Sequence, residues 1–443
     1  MVPPSVSCRA CSSVCSLQIQ TLVRDRISHC SASTLFFAFA RIQPSFAPAS
    51  WKYALNNTPR RSFHSTPRRL SDPSPSAPRI SYRVAVSSSG KGRRFHPLQN
   101  AYNFDPAVSD VIGVSKDKNP TTRRRNRPDS GEDAFFVSCI GTQVSGHPDA
   151  GGADAVAFAV ADGVGGWTES RVDPADFSHG LCGYMAQSAL AWDSPADKLR
   201  PKQLLQAGYD QVVDDPAIKA GGSTASVGVA LPDGRVELAN LGDSGSVLLR
   251  LAAVHHYSVP QTHGFNTPYQ LSVIPPRMRA QASVFGGAFL EDFPKDAAVT
   301  NLQMQHGDVL MLATDGVFDN LNNQDILKIV TSRMILTGAW TTTEDDGVGI
   351  ADSLAELTDP ATSQPKEKEN AALGSTLTLQ SLLAASIAGE AKVASVDFRR
   401  DGPFAKEAQR YYPGDYYRGG KVDDICALVI VAVDESLAAG NSA

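Results

Sequence analysis

From Ile80 onward the chain alternates between short, nearly all-apolar runs and longer amphipathic stretches. Residues 133–140, 155–161, 223–231, 236–241, 247–251, 309–313 and 427–433 are apolar runs of strand length and predict buried strands. Pro232-Asp233-Gly234 separates two of them and signals a hairpin turn. Asp173-Pro174, a cap followed by proline at the first helical position, predicts a helix reaching about Trp192. Residues 201–213 place Leu204, Leu205, Gly208 and Val212 on one helical face, and 323–337 and 378–396 read as two further helices. Between these two, residues 341–374 are acidic and Thr/Pro/Lys-rich, which predicts a flexible surface insertion within one domain. Hairpin strands with long helices at intervals indicate an α+β layered fold rather than βαβ units.

Composition adds the compartment and removes some partners. The 443 residues carry 41 Lys+Arg against 46 Asp+Glu, so a broad basic surface for nucleic acid is not expected. The early apolar run 34–40 has seven residues, far short of a membrane span. Charge is uneven, however. Residues 1–70 hold nine of the bases and one acid; 41 less 9 leaves 32 bases and 46 less 1 leaves 45 acids, a net of −13 for the rest. An Arg- and Ser-rich, acid-poor start has the composition of an organelle transit peptide, and residues 60–70 resemble the processing region of mitochondrial presequences, so delivery to the mitochondrial matrix by the import machinery is expected, with a disordered basic tail as the alternative. Residues 71–79 read as a Pro-rich linker, 80–437 as the catalytic domain and 438–443 as a disordered tail. Four of the seven cysteines (8, 11, 15 and 30) lie in the leader, so Cys8 and Cys11 are set aside as a metal pair. Cys139, Cys182 and Cys426 remain, an odd number that fits a reducing compartment.

The chemistry lies in acids just beyond strands. Glu132-Asp133 opens one run, Asp162-Gly163 closes the next, Gly242-Asp243-Ser244 a third and Asp315-Gly316 a fourth, with Asp319 close behind; Asp423-Asp424 opens the last. A strand holds a carboxylate rigidly, and a following glycine lets the backbone turn so that its carbonyl faces the same centre. Any single Asp-Gly is ordinarily a turn, and Gly163-x-Gly165-Gly166 lacks the residues of a nucleotide loop. Five acids converging from separate strands, with no His or Cys cluster, form a donor set for Mg²⁺ or Mn²⁺.

The ordered set Glu132-Asp133-Ala134, Asp162-Gly163-x-Gly165-Gly166, Gly222-Ser223-Thr224-Ala225, Asn240-x-Gly242-Asp243-Ser244, Thr314-Asp315-Gly316-x-x-Asp319 and Asp423-Asp424 resembles the metal-dependent protein phosphatase 2C family. The likeness runs over about residues 80–435. Asp162-Gly-Val-Gly-Gly-Trp167, Phe265-Asn-Thr-Pro268 with Gln270-Leu271, and Gly419-Gly-Lys-Val-Asp-Asp424 resemble its mitochondrial type-seven branch. The resemblance implies a four-layer αββα sandwich, two antiparallel sheets flanked by helices. It implies two Mg²⁺ or Mn²⁺ ions and a weaker third. Asp162 matches the bridging acid, Asp315 and Asp423 the other ligands of the first ion, and Glu132 with the Gly163 carbonyl those of the second. Asp243 and Asp319, with Asp315, match the third site, and Asp133 an acid that orients the attacking water. The implied reaction is in-line hydrolysis of phosphoserine or phosphothreonine without a phosphoenzyme; no Cys-x5-Arg loop is present.

Three departures stand out. Val164 takes the place of a histidine proposed as general acid in many relatives, which leaves His263 as a candidate. Pro128 stands where a phosphate-gripping arginine is expected, with Arg127 one residue away inside the basic run 123–127. Asp424 and Cys426 replace the usual Asn and Ser/Thr, and Asp424 reads as added charge that tightens metal binding. The implied substrates are phosphoproteins of matrix metabolism, coenzyme Q biosynthesis factors among them. A phosphoprotein-binding pseudophosphatase scaffold and a small-metabolite phosphatase are the alternatives.

Overall fold

The apolar runs become strands covered on both faces. The computed structural model describes residues 78–443 except 118, 142–154, 285–288, 344–346, 361–376, 415 and 441–443. The expected leader and nearly all of the linker therefore lie outside the described residues. In chain order the first strands are β1 (Ile80–Ser89), β2 (Ala101–Phe104), β3 (Val111–Ile112), β4 (Asp133–Cys139) and β5 (Val156–Asp162). Then come β6 (Gly221–Ser223), β7 (Ala225–Ala230), β8 (Arg235–Leu241), β9 (Gly245–Arg250) and β10 (Ala253–Tyr257). The remainder are β11 (Thr262–Gly264), β12 (Thr267–Pro268), β13 (Leu271–Val273), β14 (Ala298–Gln303), β15 (Val309–Ala313), β16 (Trp340–Thr342), β17 (Val348–Ile350) and β18 (Ile425–Asp434).

Two six-stranded sheets result, β10-β9-β15-β18-β1-β2 and β14-β8-β7-β5-β4-β3, and every pair in them is antiparallel. Side-chain alternation assigns each strand to two cores. In β4, Phe135, Val137 and Cys139 meet Val84, Leu310, Leu428 and Ile430 of the other sheet, while Ala134 and Phe136 face helices.

The helices, in chain order, are α1 (Pro120–Arg125), α2 (Pro174–Leu190), α3 (Pro201–Asp214), α4 (Pro276–Val284), α5 (Asp315–Phe318), α6 (Asn323–Leu336), α7 (Leu354–Thr358), α8 (Leu379–Ser395) and α9 (Pro403–Tyr411). Asp173 caps α2 by accepting from Ala175 N, as its sequence predicts. Phe177, Leu181 and Met185 of α2, with Leu204, Leu205 and Val212 of α3, cover the β4–β5–β7 face. Ile326, Val330 and Met334 of α6, with Leu383, Ile387 and Ala391 of α8, cover β9, β15 and β18. The order helix, sheet, sheet, helix is the four-layer αββα sandwich expected.

Two boundaries differ from expectation. The stretch 341–374 begins with elements of its own: β16 and β17 form a hairpin, Trp340 is buried and donates to Gly307 O at 3.2 Å, and Leu354 of α7 joins the core. Paired backbone and buried apolar anchors thus extend the packed structure to residue 360, and 361–376 lie outside the described residues. At the other end a short helix, Glu435–Gly440, runs into the stretch expected as tail.

Arg250 closes the end of β9 onto the turn before β15. It donates to both oxygens of Asp308 at 2.7 and 2.6 Å, and the Asp308 side chain is 1% exposed. Arg250→Ala would leave that carboxylate buried without its partner. Urea unfolding should show a loss of about 3–5 kcal/mol.

Candidate functional site

Strand register alone carries the acids to one end of the sandwich. Asp133 at the start of β4 lies opposite Asp162 at the end of β5. On the other sheet, Ala313 at the end of β15 pairs with Ala427 near the start of β18 and with Gly245 at the start of β9. Asp315, Asp423 and Asp243 therefore emerge from neighbouring strand ends. Thr314 ties the sheets together there, donating to Asp133 Oδ2 at 2.7 Å and accepting from Cys426 N at 3.1 Å.

Each acid is held by its backbone. Asp162 O accepts from Thr224 N at 2.9 Å and Ser223 Oγ at 2.8 Å, which gives the Ser223-Thr224 motif its role. Thr224 Oγ1 also accepts from Asp162 N and bonds Ser244 Oγ, reaching the turn that carries Asp243. Gly163 N donates to Glu132 O at 3.1 Å, and a Cβ at Gly163 would stand 2.8 Å from Pro174 O and 3.0 Å from Glu132 O. Only glycine lets the chain pass between them.

Asp424 has a structural role besides the added charge expected of it. Its carboxylate accepts from Glu132 N at 2.8 Å and from Lys91 N, and it fills the space where a Cβ on Gly131 (φ +70°) would go. It acts as a clamp joining the start of β18 to the start of β4, because two backbone N–H groups converge on it.

The centre also contains a cation to which sequence reasoning gave no role. Lys421 Nζ lies 2.6 Å from Asp315 Oδ2, 2.6 Å from Asp319 Oδ2 and 3.0 Å from Asp423 Oδ2. Lys91 Nζ adds a contact to Asp423 Oδ1 at 3.3 Å. Buried Asn320 fixes the Lys421 backbone, accepting from Lys421 N and donating to Lys421 O, both at 2.9 Å.

Crowding and burial drive the carboxyls toward their neutral forms. Asp162 is raised well above the usual range, by desolvation first and then by the charges of Asp315, Asp133, Asp243 and Asp423. Desolvation and Asp424 raise Asp133 against the pull of the Thr314 hydrogen bond. Glu132 is pushed up to about 7 by desolvation, Asp424 and Asp423, and Asp243 to about 7 by desolvation and Asp315. Desolvation and Asp315 raise Asp319, with Lys421 acting the other way. For Lys421, desolvation favours the neutral amine, but Asp315, Asp319 and Asp423 outweigh it and the net shift is upward.

The donor chemistry suits a hard divalent cation. All the converging side-chain donors are carboxylate oxygens, and Asp133 Oδ1 and Asp243 Oδ1 are buried with no hydrogen-bond partner among the described residues. Among the described residues no three His, Cys, Asp or Glu side chains form a ready cage. Where Asp315, Asp319 and Asp423 converge, the group between them is the Lys421 ammonium.

The other two candidates make their contacts outside the cluster of acids. Arg127 binds Asp173 at 3.4 Å and Asp176, and Arg124 and Arg123 bind Asp176 and Asp215, so the basic run docks α1 against α2 and the segment after α3. His263 Nε2 meets Asp292 Oδ2 at 2.9 Å, and its ring stacks on Tyr269 at 4.3 Å. Its hairpin is attached to the Asp243 turn, since Gln261 N donates to Gly242 O at 2.9 Å and Gln261 Oε1 accepts from Gly242 N at 3.3 Å.

Comparison with known proteins places this geometry in context. A family model described as "Protein phosphatase 2C" matches residues 149–357. The chain is 36% identical over 249 residues to "Protein phosphatase 2C homolog 7, mitochondrial" of Saccharomyces cerevisiae, covering 56% of this chain and 68% of that protein. It is 39% identical over 194 residues to "Protein phosphatase PTC7 homolog fig" of Drosophila virilis, covering 43% of this chain and 55% of that one. Among solved structures, "X-ray structure of the photosystem II phosphatase PBCP" aligns with a TM-score of 0.45 at 23% identity, over 72% of this chain and 97% of that one.

With a chelator present, stability should fall as pH rises. Glu132 moves from 4.5 to about 7 on folding and Asp243 from 3.8 to about 7, so the folded state holds protons that the unfolded chain has released. Their contribution is full below about pH 4 and lost by about pH 7. Chemical denaturation in EDTA across that range should record the decline, and excess Mn²⁺ should flatten it.

Proposed function

The chain belongs to the protein phosphatase 2C family, and from that premise we propose that its strand-end acids form the dinuclear centre of a metal-dependent serine/threonine protein phosphatase of the mitochondrial matrix. The observation that carries this reading is the gathering of Asp133, Asp162, Asp243, Asp315 and Asp423 at one end of two sheets, with Asp133 Oδ1 and Asp243 Oδ1 buried and unpartnered. Asp162, Asp315 and Asp423 would hold one ion, Asp162 with Glu132 and the Gly163 carbonyl a second, and Asp243, Asp315 and Asp319 a weaker third. Bound Mg²⁺ or Mn²⁺ would supply an acidified water and counter-charge for the phosphoryl oxygens.

The chain's own groups do the positioning. Thr314 occupies Asp133 Oδ2, so Oδ1 is left to orient the attacking water. Asp424 and Gly163 fix the Glu132 backbone on either side. Phosphoserine and phosphothreonine proteins of the matrix are the substrates, coenzyme Q biosynthesis factors among them. The Arg-rich leader and the mitochondrial relative support that location. A scaffold that only binds phosphoproteins has no use for seven intact acids, and a preference for sugar phosphates over phosphopeptides would favour the metabolite reading.

Asp162→Asn should cut Mn²⁺-dependent phosphate release from a phosphothreonine peptide by about a hundredfold or more while the thermal melt stays cooperative. EDTA should silence the unmodified protein. Near-normal turnover in this variant would defeat the assignment.

Proton delivery to the leaving oxygen falls to His263, held by Asp292 on the hairpin that joins the Asp243 turn. His263→Ala should slow release of phosphate from a phosphoserine peptide more than from p-nitrophenyl phosphate, whose leaving group needs no proton. An equal effect on both substrates removes His263 from the mechanism.

A further inference from the structure

Lys421 is set into the acidic centre as firmly as the acids are. Its side chain is 17% exposed, its backbone is held on both sides by Asn320, and its three N–H donors have three carboxylate acceptors within 3.0 Å. An ammonium has three hydrogens to give, so the group is saturated. Those acceptors belong to the acids that would hold the first and third ions. A hard cation needs the same lone pairs, and two cations cannot share one set of oxygens at contact distance without strong repulsion. Among the described contacts of Lys421 there is none to Asp162, Glu132 or the Gly163 carbonyl, the groups assigned to the second ion.

An aromatic face also borders the ammonium. Where it contacts the three carboxylates, Lys421 Nζ also stands 5.0 Å from the centre of the Phe404 ring, whose face attracts a cation. Phe404 is braced by Phe265 at 5.0 Å and Tyr417 at 5.0 Å, so this aromatic wall is fixed beside the centre.

We propose that Lys421 is a tethered competitor for the divalent cation on the Asp315–Asp319–Asp423 side of the centre. Its ammonium holds these acids together by itself, and a divalent ion loads there only when the side chain withdraws from them. The inference rests on the phosphatase reading. Its consequence is a graded centre: the Glu132–Gly163 side fills at lower divalent concentration than the side guarded by Lys421, which sets the threshold for full loading.

Two measurements on the purified chain test this. In calorimetric titrations with Mn²⁺ alone, Lys421→Met should tighten the weaker dissociation constant by about tenfold or more, while Lys421→Arg keeps it weak. In the unmodified protein, a pulse of acetic anhydride read by mass spectrometry should label Lys421 severalfold faster at saturating Mn²⁺, with exposed Lys198 as the unchanged reference. The labelling requires no variant, so it decides the matter even if Lys421→Met fails to fold. Mn²⁺ binding with unchanged Lys421 labelling, or a Met variant that binds no tighter, overturns the proposal. Binding by the Met variant alone supports it in its strongest form. Absence of Mn²⁺ binding in every form overturns the phosphatase reading and this inference with it.

Discussion

Repulsion between carboxylates governs this end of the molecule. Desolvation and the negative charges of their neighbours, Asp315 among them, raise the proton affinity of Asp133, Asp162, Asp243 and Asp319. Flexible segments would relax such a cluster by moving apart, so it persists only where the backbone allows no movement. The two sheets meet that requirement. All but Asp319, which caps α5, stand within two residues of a strand end, and the strands are locked by antiparallel register over two buried faces. Ser223, Thr224, Thr314 and Asn320 then use neutral hydrogen bonds to hold the backbones that carry the charges.

How much of this could be read from sequence depended on how far each feature is local. Strands buried on both faces, such as β4, β5, β15 and β18, stand out because almost every position is apolar. The edge strands β10 and β14 did not, since Ala-Val-His-His-Tyr and Ala-Val-Thr-Asn-Leu-Gln leave every second position in water and mix the signal with loop sequence. Helix α9 also escaped notice; only Ala405 and Ala408 of its nine residues are buried. The acids were legible because each follows or precedes an apolar run, often beside a glycine.

The supporting residues were not legible, for a different reason. Thr314 acts on a residue 181 positions away, Lys421 on one 106 positions away and Asp424 on one 292 positions away. Threonine, lysine and aspartate in these places carry no local mark of a partner brought near only by sheet packing. Lys421 was visible within the Gly-Gly-Lys-Val-Asp-Asp run, yet its meaning depended on Asp315 and Asp319 arriving from the other side of β18.

Asp424 shows how a structural demand and the electrostatics of the centre become one constraint. Lys91 N approaches Oδ1 and Glu132 N approaches Oδ2, so the clamp needs two acceptor oxygens. A carboxylate offers both, whereas an amide offers one acceptor and turns a donor toward the other N–H. The acid is therefore selected by two peptide groups, with no metal involved. Its charge nevertheless reaches the centre, where it is the leading charge acting on both Glu132 and Asp133 after desolvation. Lys392 stands close enough to feel that charge in turn and anchors itself on Gly90 O at 2.8 Å, one residue before Lys91. The β4 entry is thus built from a glycine without room for a side chain, an acid that fills the space, and lysines that offset it. The extra negative charge beside Glu132 and Asp133 is a consequence of how the backbone is closed.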